Sequence, residues 1–425
     1  MVQNRTFPSP EVVIPTVAAL LVLTACESEP VSPEASAIAS QGPAHTAAAL
    51  DGSHQFEAPV FDIAAMPNGG ILVAESPTVG DDDLIATVWE IRRQGNEDVV
   101  RDVVTIPMVE GVGAFGESAV SPLNGLEVIG QGNFFALRGG MDQAVGSSLW
   151  RASQGNARLV ADIGSWELAN DPDATQGPRW KHHACEAAGG FTAGPQSNPF
   201  HLTALSGGEV LIGDAAGNAV LRARTNGDID WVALPLPATA DGTGSTDPED
   251  WLVWAELPGG IPCYVQPVPT SVAIGPEGDY YVGELTGVTA ENLFESAPSP
   301  GLSRVWRIDA GANNVLCPSD QCEVAISGLT SVMDVEFGPD GSLYVVEYDL
   351  NDWFNAIELG NAAGGTIRSC AVTTGEATDA GDCAIIAGGL TLPGAITFDK
   401  WDNLWVLENN LGIGDGLATV RPVHY

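Results

Sequence analysis

The chain has 425 residues, 44% of them hydrophobic, enough to bury a sizeable core, and its 50 glycines signal many tight turns. Fifty-five acidic against 16 basic residues give a formal net charge of −39, with Lys181 and Lys400 as the two lysines. That charge repels a phosphate backbone and an anionic lipid face, so nucleic acid and electrostatic membrane adhesion are excluded as partners; it suits solubility, or an affinity for cations.

In chain order, Arg5 precedes the apolar run VVIPTVAALLVLTA and then Cys26. The run is short for a transmembrane helix and reads as an export signal over residues 1–25. Leu23-Thr24-Ala25-Cys26 resembles a bacterial lipobox, which implies cleavage before Cys26 and lipid attachment to its sulfur. Glu27 is not the aspartate usual for inner-membrane retention, so the expected location is the cell envelope, periplasmic or on the outer surface. Residues 26–50 are rich in Pro, Ser, Ala and Glu without periodicity and read as a flexible tether.

From residue 51 to 425 one pattern recurs six times. VFDIAAMPNGGILVAE, LNGLEVIGQGNFFALR, PFHLTALSGGEVLIGD, PTSVAIGPEGDYYVGE, VMDVEFGPDGSLYVVE and PGAITFDKWDNLWVLE each read as strand, turn, strand. The turn positions Gly69, Gly132, Gly208, Gly278, Gly341 and Asp402 lie 63, 76, 70, 63 and 61 residues apart. A third strand follows, aligned on Trp89, Trp150, Leu221, Trp306, Ile367 and Val420, and a fourth follows in most copies. Four strands per repeat with no helical period predict an all-β fold, a six-bladed β-propeller; a sandwich would not require six equal units. The chain stops after the third strand of copy six, so residues near Gly52 to Glu57 are expected to supply the missing strand and close the ring.

Six cysteines remain after Cys26, an even number that suits an oxidising compartment. Cys317–Cys322 and Cys370–Cys383 each flank a short loop between strands three and four. Cys185 and Cys263 are left to pair by elimination, with zinc at His182, His183 and Cys185 as the rival reading. Strand direction puts the long connections, residues 165–197 and 235–268 among them, on one face. That face is the expected binding surface for a protein, glycan or small-molecule ligand of a monomeric ring, with Trp166, Trp180, Trp251, Trp254 and Trp353 (and Phe354) either lining a groove or packing the loops down.

The repeat-terminal acids Glu75, Asp214, Glu284, Glu347 and Glu408 are matched by basic residues in strand three, Arg151, Arg222, Arg307, Arg368 and Arg421, with Arg138 and Glu90 as exceptions. Ion pairs within or between blades follow. The start of the innermost strand varies instead: Asp62, Gly125, His201, Ser271, Asp334 and Ala395, with Asn124 adjacent. Asp62, Asn124, His201 and Asp334 are therefore candidate ligands for Ca²⁺ or another divalent ion at the channel mouth, against a plain hydrated polar channel. No catalytic motif of the GxSxG, HExxH, P-loop or Rossmann kind occurs in a suitable context, and catalytic residues are not assigned.

PTSVAIGPEGDYYVGELTG, NPFHLTALSGGEVLIGDAAGNAVLR and VMDVEFGPDGSLYVVE resemble the ScyD/ScyE family of exported propellers, in register from about Pro59 to Arg421 and including WELANDPD. The resemblance implies a six-bladed ring related to NHL and SMP-30-type propellers and brings no catalytic residues with it. Two functions follow as expectations: a non-catalytic envelope scaffold, or a metal-dependent lactonase or esterase of SMP-30 type. A quinone-dependent sugar dehydrogenase ranks last, since no basic cluster stands at the channel mouth to hold an acidic cofactor.

Overall fold

The alternation of apolar and polar residues, broken every few residues by Gly, Pro, Asp or Asn, builds hairpins and little else. A computed structural model of the chain describes residues 52–81, 83–94, 97–112, 118–140, 144–176, 181, 185, 194–413 and 416–424. Cys26, the signal, the tether and Trp180 lie outside the described residues.

Six antiparallel sheets form a six-bladed β-propeller. The inner strands are Val60–Ala65, Leu123–Gly130, Pro199–Ser206, Pro269–Ile274, Val332–Phe337 and Ala395–Phe398. Each pairs with its second strand, and third and fourth strands follow outward. In blade six the outermost place is taken by His54–Phe56, which runs antiparallel to Ala418–Pro422 with His54 opposite Val420. Apolar residues from facing blades merge into shared clusters, for example Leu72, Ala74 and Val88 of blade one with Leu126, Phe134 and Ala136 of blade two.

All three cysteine pairings are present: Cys185–Cys263, Cys317–Cys322 and Cys370–Cys383. The latter two do more than staple a turn. Val315–Cys317 lies parallel to blade three's outer strand, and Thr378–Asp379 does the same for blade four. Each clamped loop therefore reaches back and covers the open edge of the preceding blade.

The repeat acids meet the sequence expectation in blades five and six, where Arg368 and Arg421 bind Glu347 and Glu408, and depart from it in the others. In the ladder, the side chain that shares a face with the acid stands two residues along strand three. That place holds Trp89, Trp150, Leu221, Trp306, Arg368 and Arg421 in turn. The indole Nε1–H of Trp89 donates to Glu75 at 2.7 Å, and that of Trp306 to Glu284 at 2.6 Å. Arg368 donates to Glu347 and Arg421 to Glu408, each at 2.5 Å. In blade two the partners are exchanged, and the Arg138 guanidinium stacks 5.7 Å from the Trp150 ring. The expected pairs with Arg151, Arg222 and Arg307 do not form, because one residue further along a strand faces the other side of the sheet. Arg307 instead binds Asp279, Asp309 and Glu323.

Blade four has the most buried version: Glu284 and Arg304 are both 0% exposed, 2.7 Å apart, with the Arg304 guanidinium 4.6 Å from the Trp306 ring. Glu284→Ala leaves a charged guanidinium without its partner in the core and is expected to cost about 3–5 kcal/mol. Glu408→Ala, whose Arg421 partner is about one-third exposed, is expected to cost no more than about 1 kcal/mol. Denaturant unfolding of the two variants side by side checks the ranking.

Candidate functional site

Position three of the inner strand holds Asp62, His201 and Asp334 in blades one, three and five, and these three side chains meet in the channel. His201 Nδ1 lies 3.0 Å from Asp334 Oδ1, and His201 Nε2 lies 3.8 Å from Asp62 Oδ1. All three side chains are buried. The Asp62 oxygens also accept the backbone N–H groups of Ile63 (2.7 Å) and Leu126 (2.6 Å). The Asp334 oxygens accept those of Val335 (2.8 Å) and Ile396 (2.9 Å). Each carboxylate thus bonds its own strand and the neighbouring blade at once.

Asn124 is not in this group. It stands at position two, fully buried between blades, where its amide donates to Asn198 Oδ1 and the Pro199 carbonyl, each at 2.9 Å. A second polar layer lies two residues deeper, where Glu127, Thr203, Glu336 and Thr397 line the same cavity of about 340 Å³. Glu127 accepts from Ala204 N–H, Thr397 Oγ1 from Ala65 N–H, and Glu336 from Phe398 N–H. Sequence reading missed this layer. The available signal was the two-residue period, which puts position five on the same face as position three.

Electrostatics follow from burial. Burial opposes charge on His201, but Asp62 and Asp334 outweigh it and push its pKa up to about 9. Burial raises the Asp62 carboxyl to about 7, partly offset by His201, and raises Glu127 to about 7. Burial, then the charge of Asp334, holds Glu336 well above the ordinary carboxyl range. Burial and the paired aspartates thus favour the protonated forms of His201, Asp62 and Glu127 in the channel. Among the described residues, one set of three His, Cys, Asp or Glu side chains brings ligand atoms within 4.8 Å of one another, and it is Glu167, Asp171 and Asp173, not the channel trio.

The aromatic side chains of the long-loop face pack inward. Trp251 is buried, donates its Nε1–H to the Ser245 carbonyl at 2.8 Å and meets Tyr264 edge-on. Trp254 is buried beside the Cys185–Cys263 bridge. Trp166 packs on blade three, and Trp353 packs on blade five with its Nε1–H on the Thr286 carbonyl at 3.1 Å. These four rings hold the loops down rather than presenting an open aromatic groove.

No family model and no curated protein sequence matches this chain. Its fold is similar to that of a Thermus thermophilus protein assigned as an oxidoreductase (glucose dehydrogenase), at 15% identity over 87% of this chain and 99% of that one, TM-score 0.48. It is also similar to the PQQ-bound aldose sugar dehydrogenase of Streptomyces coelicolor (12%, 87% and 94%, TM-score 0.46) and to a Xanthomonas campestris gluconolactonase (12%, 87% and 89%, TM-score 0.41). At these identities the likeness is one of fold.

A pKa raised on folding means that the folded protein holds the proton more tightly. The stability so gained is complete below the unfolded pKa and fades as pH rises through the folded one. For His201 the loss runs from about 6.5 to about 9, and for Asp62 from about 3.8 to about 7. The melting temperature is expected to fall as pH is raised from 5 to 9. In Asp334→Asn the His201 pKa, read from imidazole ¹⁵N shifts, is expected to drop.

Proposed function

We propose that this chain is an exported, non-catalytic binding propeller, a scaffold of ScyD/ScyE type, that offers its long-loop face to a protein, glycan or small-molecule ligand. The observation that carries the reading is the state of the channel. Every oxygen of Asp62 and Asp334 already accepts a backbone N–H, and His201 Nδ1 lies against Asp334. These groups are engaged in joining neighbouring blades, which supports a structural role for the trio. The hydrolase alternative is not favoured, because the ligand set it calls on is not assembled: Asn124 is buried between blades with its amide on Asn198 and Pro199. The elaborated face supports a binding role instead: Cys185–Cys263 links the two long insertions, and Trp251 and Trp254 are buried beneath the second.

Three disulfides suit an oxidising extracellular or periplasmic environment, and among the described residues no helix is long and apolar enough to cross a membrane. The membrane attachment in this reading is the lipid on Cys26. In a bacterial host, Cys26→Ala is expected to move the protein from the membrane fraction to the soluble one and to abolish palmitate labelling. Labelling that survives the substitution removes the anchor from the reading. For the chemistry, initial rates are measured on a panel of lactones and aryl esters. Rates indistinguishable between the native chain and His201→Ala are expected; turnover by the native chain that vanishes in His201→Ala replaces the scaffold with a channel-centred enzyme.

A further inference from the structure

The segment WELANDPD folds into two consecutive short helices, Ile163–Asn170 and Pro172–Thr175. Asp162 caps the first by accepting the Ser165 N–H at 2.9 Å. Asp171 ends it in the left-handed conformation (φ 40°), its N–H returning to the Glu167 carbonyl, and Pro172 starts the second. This tight reversal brings the carboxylates of Glu167, Asp171 and Asp173 within 4.8 Å of one another. Nothing in the ring requires that arrangement, and in charge terms it is costly.

A second observation concerns Glu167 alone. The residue is 0% exposed, and among the described residues neither of its carboxylate oxygens has a hydrogen-bond partner. Asp171 Oδ1 beside it is also without one. Asp173 is served by Lys181 Nζ at 3.0 Å and by Asn218 Nδ2 at 2.9 Å, while Lys181 Nζ stands 3.7 Å from Asp171. Asp214 adds a fourth acid nearby and is fully engaged by Ser197, Asn198 and Gly217. One lysine thus faces several buried carboxylates, and the carboxylate closest to having no partner at all points into their midst. A buried carboxylate in this setting either keeps its proton or meets a cation.

We propose that Glu167, Asp171 and Asp173 form a binding site for a hard divalent cation, calcium in the first instance, at the root of the long insertion after blade two. The donors are oxygens only, which suits Ca²⁺ or Mg²⁺ and not zinc. Mg²⁺ keeps several of its waters and demands regular octahedral geometry, whereas a buried cluster of three carboxylates suits the larger ion with its looser coordination. The ion satisfies the oxygens of Glu167 and Asp171 and shares Asp173 with Lys181. It thereby fixes the start of the insertion that carries Cys185 and, through the bridge to Cys263, the second long insertion. This site is separate from the channel and holds whichever function the ring serves.

The test is thermal unfolding of the full chain in excess CaCl₂ and in EDTA, with calorimetric titration of Ca²⁺, on the native protein and on Glu167→Gln, Asp171→Asn and His201→Ala. At saturation near 100-fold over Kd the native protein is expected to melt a few degrees higher in calcium. Glu167→Gln and Asp171→Asn lose both the shift and the heat of binding, while His201→Ala keeps them. Glu167→Gln is neutral and of the same shape, so its fold in EDTA is retained. No calcium response in the native chain, together with an EDTA melting point raised by Glu167→Gln, identifies a permanently protonated glutamic acid and overturns the proposal. A response that survives Glu167→Gln but not His201→Ala places the ion in the channel and overturns it equally.

Discussion

A strand at the centre of a ring has an edge that no further strand can reach. The six inner strands pair outward with their second strands, which leaves N–H groups facing the channel with no ladder to join. Buried amides need partners, and here the neighbouring blade supplies them through side chains. Asp62 serves Leu126, Glu127 serves Ala204, Asp334 serves Ile396, and Thr397 serves Ala65. Carboxylates are favoured for this because one group can take an N–H from its own strand and another from the next blade. His201 then links blade three to blade five across the channel and offsets part of the accumulated negative charge. The acids at the centre are therefore explained by backbone accounting before any ligand is invoked.

The strand-turn-strand pattern was fully legible in the sequence because each hairpin announces itself twice, once in its alternation and once in its turn. The cysteine pairings were legible because two loops were short enough to leave a single pair over. Side-chain partners were harder. The third strand was aligned on Ile367 and Val420, yet the ladder puts Arg368 and Arg421 in the place of the tryptophans. An indole N–H and a guanidinium look unrelated as letters, but both are donors able to reach the same carboxylate. A one-residue slip in a strand reverses the face, and that slip produced the unformed pairs of Arg151, Arg222 and Arg307. Asn124 was displaced from the channel group by the same parity. WELANDPD was visible only as part of a family likeness, since a tight turn between two short helices carries no period from which convergence can be read.

Outside the ring, the chain spends its extra length on protecting edges and anchoring loops. The disulfide-clamped loops of blades four and five lie along their predecessors' outer strands, so sheets that would end in bare backbone gain a fifth strand. Trp254 is buried beside the Cys185–Cys263 bridge, which ties residue 185 to the strand Ile261–Tyr264.

The seam in blade six sets an order of events. His54–Phe56 is made near the beginning of the chain and its partner strand, Ala418–Pro422, almost at the end. During synthesis the first strand must wait, unpaired, while five and a half blades emerge behind it. Bringing the two together closes a loop as long as the domain itself, the slowest kind of contact to form. Blades one to five can fold as they appear, but blade six gains its outer strand only once Ala418–Pro422 has been made. A chain truncated by even one strand at its end would then keep two raw sheet borders, open to pairing with its neighbours.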